Sequence, residues 1–238
     1  LNVKVGYSDH TEGIDVAIAA VAIGASNVPY RVLDLACGRG GDFVKHAKGG
    51  TCAAYYGVDV ADEAINELER RVQQCGSIPS VRVHCGDACD IPWPATNVGA
   101  DICTMNFALH YFFDTREHLN RLLGVVSSSL KEDCIFTGTY MDSRALPFCN
   151  EATSEQKWPT DSELEKEPFG HRYHYKLGRC VDAGEYVVHF PTLCRMAHTR
   201  GLYLVLNRSF KCYVQARENH AQHCQSGQFV FMFRKCHQ

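Results

Sequence analysis

The stretch Arg31–Asp42, RVLDLACGRGGD, decides the fold. An apolar run carries Asp34 near its end, glycines follow at positions 38, 40 and 41, and DFVKHAKG (42–49) continues with helical spacing. Strand, glycine turn and helix in that order make the first βα unit of an open α/β sheet. Glycine at such a turn lets the backbone approach a ligand closely. The glycines alone also fit a tight turn kept for packing.

Downstream, AAYYGVDV (53–60) reads as a second strand, and ADEAINELERRVQQC (61–75) as a helix with Ala64, Ile65, Leu68 and Val72 on one face. VRVHCGD (81–87), DICTMNF (101–107) and CIFTGTY (134–140) continue the strands, with an amphipathic helix in DTREHLNRLLGVVSSSL (114–130). Strands alternating with helices predict an α/β fold with a parallel sheet and helices on both faces. Ligands belong at the carboxyl ends of such strands. Residues 142–170 break the rhythm: polar, acidic and carrying Pro147, Pro159 and Pro168, they read as an insertion or lid. HRYHYKL (171–177) and EYVVHF (185–190) then look like strands, and PTLCRMAHTRG (191–201) like a helix opened by Pro191. YLVLNRSF (203–210) and QFVFMFRK (228–235) look like closing strands, so residues 1–238 are expected to form a single domain.

Of the 238 residues, 45% are hydrophobic and 21% charged, near the averages for globular chains. IDVAIAAVAIG (14–24) is too short to cross a membrane, which takes roughly 18 or more apolar residues, and no membrane partner is expected. A net charge of −3 argues against a broad surface tracking duplex phosphates, though not against gripping one nucleic-acid end. The 13 cysteines are odd in number, scattered and without a CxxC pair, which favours a reducing compartment. CYVQARENHAQHC (212–224) gathers two Cys and two His, but its spacing matches no usual zinc pattern, and no metal is expected. The chain opens on Leu1 and not Met, as an excised or processed domain would.

Asp34, Asp59 and Asp87 each follow or close a strand, and Asp59 stands 21 residues beyond Gly38, where an acid can bond ribose hydroxyls. A dinucleotide's pyrophosphate would be repelled by that row of acids. A sulfonium, an amine and an adenosine would suit it, which points to S-adenosylmethionine, leaving S-adenosylhomocysteine as product.

With these residues in view, VLDLACGRGGD, GVDVADEAI with its later RR, GD at 86–87, FALHYFF, FTGTYM and EYVV resemble the mRNA cap guanine-N7 methyltransferases, within the class I S-adenosylmethionine-dependent enzymes. The resemblance runs from about residue 32 to 208, and FALHY is more specific than the glycine loop. It implies a Rossmann-like α/β fold with a mostly parallel seven-stranded sheet and helices on both faces, and methyl transfer to N7 of the cap guanosine of mRNA. It implies that Gly38 runs past the methionine part of the cofactor with Asp34 near the amino group, Asp59 on the ribose, Asp87 on the adenine amine and Asn106 at a cofactor contact. Asn106 stands where the family usually has Gln and is one methylene shorter. His110 and Tyr111 would meet the guanine, Glu185 would accept its N1 and N2 hydrogens, and Arg39 and Arg71 would meet the cap phosphates. Phe229 is the nearest candidate for an aromatic residue that in the family is Tyr. The capped 5′ end of RNA is the implied partner, with a guanylyltransferase domain in the same chain or complex, in the nucleus or cytoplasm. Two departures stand out: Ala36 replaces the first glycine of the loop, and no Lys or Arg lies between residues 5 and 30, where the family has a cofactor-facing lysine.

Other readings of the same residues stay open. His110 could be a core histidine, Glu185 could pair with Arg172 or Lys176 across a hairpin, and Arg71 could pair with Glu67 on its helix. The chain could methylate another RNA base or a small molecule, or could be an inactive methyltransferase-like subunit. Phe107 to Phe112 raise a separate question. A strand-to-helix turn so rich in apolar and aromatic residues is either packed core or the wall of a pocket for something flat.

Overall fold

A computed structural model describes residues 28–94, 98–146, 157–177, 181–210 and 227–236. Its centre is β1 (Tyr30–Leu35), hydrogen-bonded in parallel to β2 (Cys52–Asp59) on one side and β4 (Ala100–Met105) on the other. β3 (Ser80–Cys85) extends the sheet beyond β2, and β5 (Leu130–Met141) extends it beyond β4, all parallel. β9 (Gln228–Lys235) pairs antiparallel with β5, and β8 (Leu202–Ser209) antiparallel with β9. The order β3-β2-β1-β4-β5-β9-β8 makes the seven strands expected, the first five parallel. Because β1 leads to β2 on one side and lies beside β4 on the other, the winding reverses there, and a crevice opens above the strand tips.

Continuous apolar strands are what a sheet covered on both faces requires. Val32 faces one core cluster with Phe43, Tyr55, Ile65 and Leu68. Leu33 and Leu35 face the other, with Met105, Leu109, Leu122, Phe136 and Phe231. The helices supply these faces through 3.6-residue periodicity. α1 (Gly41–Gly49) buries Phe43 and Ala47, and α2 (Asp62–Cys75) buries Ala64, Ile65 and Leu68. α3 (Arg116–Ser129), capped by the Thr115 hydroxyl on the His118 amide, buries Leu119, Leu122, Leu123 and Val126.

The carboxyl-terminal part departs from expectation in one place. β6 (Arg172–Leu177) and β7 (Val181–Tyr186) form a separate antiparallel hairpin, so the strand ends at Tyr186 and EYVVHF is not a strand throughout. The cause is register: the Val187 amide makes the last cross-strand bond, to the His171 carbonyl at the end of the partner strand. His189 then turns the chain, its carbonyl accepting from Thr192 and Leu193 as α5 (Phe190–His198) begins around Pro191. Within 142–170, the described residues include a short helix, α4 (Asp161–Lys166), closed by a reciprocal capping box between Thr160 and Glu163. Residues 1–27, with the lysine-free stretch, and 212–224, with its Cys and His, lie outside the described residues.

Candidate active site

Four loops line the crevice at the strand tips. The first, after β1, runs through Ala36, Gly38 and Gly40, all with left-handed φ (62°, 51° and 77°). Gly40 needs its missing side chain as well as its φ, because a Cβ there would run into Leu68 of α2. At Gly38 a Cβ would meet nothing within 4 Å, so the loop faces open space there. The Gly38 amide donates to Asp59 Oδ2 (2.7 Å) and the Ala61 amide to Asp59 Oδ1 (2.9 Å). One carboxylate thus ties the glycine loop to the tip of β2, and it keeps lone-pair capacity for further donors.

Asp34 behaves differently. It is 1% exposed, and its two oxygens accept from the Tyr55 and Thr104 hydroxyls on the neighbouring strands. This acid is held behind the loop. Asp87, after β3, is half-exposed; its Oδ1 accepts from the Cys89 amide (2.8 Å), while Oδ2 lies 3.9 Å from His118 Nε2. Asn106, at the tip of β4, donates its side-chain amide to Asp42 Oδ2 (2.8 Å) in the first turn of α1, and Asp42 also holds Lys45. That bond joins the two walls of the crevice.

The apolar turn after β4 is both core and wall. Leu109–Phe113 form a single 3₁₀ turn in which Leu109, Phe112 and Phe113 are buried. Phe107 takes the left-handed conformation (φ 55°) that a glycine would normally supply, with its amide held by the Thr139 hydroxyl (2.9 Å). Tyr111 emerges from this turn 47% exposed, its ring tilted at 60° to that of His110 with centroids 4.2 Å apart. His110 itself is buried, and burial depresses its pKa to about 4.

Glu185 of β7 arrives from the hairpin opposite. It is 6% exposed, its Oε2 accepts from the Tyr173 hydroxyl at 2.5 Å, and its Oε1 lies 3.5 Å from His110 Nε2. A charged pair would raise the histidine, whereas burial lowers it and also raises Glu185. Desolvation therefore outweighs the attraction across 3.5 Å, and the imidazole is neutral at pH 7. The Tyr111 hydroxyl is pushed up first by burial, then by Glu185, then by Asp59, so this ring lies in the fields of both acids.

The structure thus gathers His110, Tyr111 and Glu185 into one group, beside the loops that carry Gly38 and Asp59. Glu185 faces Tyr173, its cross-strand partner, and pairs with neither Arg172 nor Lys176. Arg71 makes the helical pair with Glu67 (2.9 Å), which Arg70 also grips. Arg39 is exposed beside Gly38, and Phe229 is half-buried against Tyr140, with ring centroids 5.8 Å apart. The motifs gave Asp42, Tyr55, Thr104 and Tyr173 no role. Counting the hairpin register would have placed Tyr173 opposite Glu185; the others depend on which strands become neighbours.

The chain is similar to known proteins along most of its length. A family model described as the mRNA (guanine-N(7))-methyltransferase domain matches residues 18–228. A second model, of the NeuB family, matches residues 1–29, nearly all outside the described residues. The mRNA cap guanine-N(7) methyltransferase of Saccharomyces cerevisiae is 31% identical over 212 residues, covering 77% of this chain and 48% of the relative. Its Schizosaccharomyces pombe counterpart is 27% identical over 221 residues, covering 86% and 61%. An S-adenosylmethionine-dependent methyltransferase from Clostridium acetobutylicum superposes with a TM-score of 0.65 at 16% identity, covering 98% of both chains, which shows the fold. The chain therefore spans between about half and three fifths of the two relatives.

Proposed function

The chain belongs to the mRNA (guanine-N(7))-methyltransferase family, and on that premise we propose that it transfers a methyl group from S-adenosylmethionine to N7 of the guanosine capping the 5′ end of RNA. The observation that carries the proposal is the convergence of Glu185, His110 and Tyr111 beside the loops of Gly38 and Asp59. When bound, the cofactor supplies a methyl group on a positive sulfur.

Guanine N7 has a lone pair and no proton, so no general base is required. The side chains need only hold N7 close to the methyl and in line with the sulfur. Glu185, with one oxygen fixed by Tyr173, offers acceptor capacity to the N1 and N2 hydrogens of guanine. It also favours the purine as positive charge spreads onto it. Tyr111 offers a ring face to the same cation, backed by His110, which needs no proton for this role. Asp59 would hold the ribose hydroxyls and Asp87 Oδ2 the adenine amine. Asp34, buried behind the loop, would act on the cofactor's amine through its field. Asn106 serves by tying the crevice walls together through Asp42. Arg39, exposed beside the loop, takes the cap phosphates; Arg71 would have to leave Glu67 to share that task, and Phe229 adds an apolar edge near Tyr140.

The reading extends to a guanylyltransferase in the same chain or complex, since a capped end must be made before it is methylated. A reducing nuclear or cytoplasmic setting fits the nine described cysteines, all free thiols. Among the described residues no helix is long and apolar enough to cross a membrane.

The test is methyl transfer to one RNA carrying either an unmethylated guanosine cap or a plain 5′-triphosphate. Label should appear at N7 of the capped RNA and nowhere on the other. Equal labelling of both RNAs would sink the proposal, and label at another base would favour a different acceptor. An inactive subunit would show no saturable binding of S-adenosylhomocysteine.

A further inference from the structure

We propose that Asp87, Cys89 and His118 form a zinc site whose occupancy excludes the cofactor's adenine; the exclusion rests on the cofactor reading above, the metal site does not. Asp87 and Cys89 share the turn after β3, and His118 stands in the first turn of α3, so two elements bring the three together. One ligand atom from each lies within 4.8 Å of the other two, a spacing that a single ion at its centre can bridge with small side-chain movements.

The surroundings orient two of these atoms, on His118 and Asp87, as a metal would need them, while the Cys89 thiol rests against the His118 carbonyl (3.8 Å) and would turn from it to bind. His118 Nδ1 is bonded to Asp114 Oδ1 at 2.8 Å, which fixes the ring and turns Nε2 toward Asp87. A carboxylate on the far nitrogen is the usual support of a zinc-bound histidine. Asp87 Oδ1 is engaged by the Cys89 amide (2.8 Å), which leaves Oδ2 to face the cluster. Sulfur, nitrogen and oxygen together suit zinc better than magnesium or calcium, which take oxygen ligands. Burial and the neighbouring Asp87 keep Cys89 a thiol in the free chain, so binding releases its proton to solvent, after which a carboxylate and a thiolate offset the two positive charges of the ion. Three protein ligands leave the fourth position open.

Asp87 Oδ2 is also the atom assigned to the adenine amine. One oxygen cannot serve a zinc ion and that amine together, so metal and cofactor each lower the other's affinity by the same factor. Free zinc would then act as an inhibitor at the cofactor end of the crevice.

Cobalt(II), titrated into the metal-free 238-residue chain, provides the test. A thiolate-to-cobalt charge-transfer band should rise to one equivalent and be displaced by zinc. Cys89→Ser should remove the band. His118→Gln, on a helix surface, should remove the tight binding without loss of fold, checked by thermal unfolding. Asp114→Asn should weaken the metal about 10-fold or more, as loss of such support typically does. A band that survives in Cys89→Ser and disappears in Cys212→Ser or Cys224→Ser would overturn the site, as would the absence of any band. With the site loaded, the Kd for S-adenosylhomocysteine should rise about 10-fold or more, within the usual range of coupling between sites. Independent binding of both would overturn the exclusion. Failure of S-adenosylhomocysteine to bind the metal-free chain would overturn the cofactor reading and leave the metal site standing.

Discussion

At the scale of single residues, the site is governed by desolvation. Glu185 and His110 lie 3.5 Å apart, yet burial drives both toward their neutral forms. Glu185 is then poised to gain from a cationic partner arriving from outside, which is what a methylated purine becomes. Glu185→Gln keeps the shape and loses the charge; it should lower kcat by about 100-fold, in the range for removing a group aimed at developing charge. The Kd for S-adenosylhomocysteine should stay within about twofold, because the assigned cofactor groups sit on other loops. Equilibrium binding beside single-turnover kinetics checks this, and a lost cofactor site would contradict the role given to Glu185. His110 makes a prediction about stability. Its native pKa is about 4 against an unfolded value of 6.5, so the unfolded chain binds the extra proton first. Stability is therefore present above pH 6.5 and falls as the pH drops toward 4, by about 2 kcal/mol at pH 5. Glu185 acts in the opposite sense: burial raises it, and its contribution fades as the pH rises through that raised value. Urea unfolding at pH 7 and pH 5 should show a smaller loss for His110→Gln than for the parent; equal losses would refute the assignment. The acids and the His-Tyr pair were legible as residue types at strand ends. Which of them would be sealed was not: Asp34 is closed off by Tyr55 and Thr104, residues brought together by strand order alone.

The turn Asn106–Phe113 shows how an element holds such a site without glycine. Its rigidity comes from the buried side chains of Leu109, Phe112 and Phe113, and from Phe107 locked in the left-handed region by Thr139 of the next strand. Gly138, beside Thr139, lets β5 approach β4 closely, because a Cβ there would run into the Met105 carbonyl oxygen. Thr139→Val preserves shape and removes the acceptor for the Phe107 amide. It should cost about 0.5–1.5 kcal/mol, the usual net worth of a hydrogen bond, since Phe107 is itself partly exposed. Because this turn carries His110 and Tyr111, the KM for capped RNA should rise more than the KM for S-adenosylmethionine. Equal rises would mean that Thr139 serves the fold at large. The strands of the sheet were legible as apolar runs bounded by glycine or charge. EYVVHF misled because Val187 and Val188 are buried under the hairpin and beside α5, so their apolarity reports packing and not strand.

Across the whole molecule, the two halves of the proposed site rest on different cores. Gly38, Asp59 and Asp87 stand on the tips of β1 to β3, backed by the main sheet. Glu185 stands on the β6–β7 hairpin, whose own small core holds Met141, Leu146, Leu164, Tyr173, Tyr175 and Val187, with Trp158 against it. The alternation of strand and helix made the main sheet readable. The small core was not, because Leu164 and Trp158 are sparse apolar anchors in the polar stretch 142–170, and sequence alone does not say what they meet. A unit with so few buried side chains can open without the rest. Leu164 is fully buried there, and Leu164→Ala should cost the small core about 2–5 kcal/mol. If the two cores are separable, hydrogen exchange should quicken at β6 and β7 amides while β1 and β2 keep their protection. S-adenosylhomocysteine should then bind with unchanged affinity, while methylation of capped RNA falls with a raised KM, because Glu185 is presented correctly for only part of the time. Uniform loss of protection across both sheets, or cofactor affinity falling in step with activity, would instead show a single cooperative unit in which guanine and cofactor residues cannot be loosened separately.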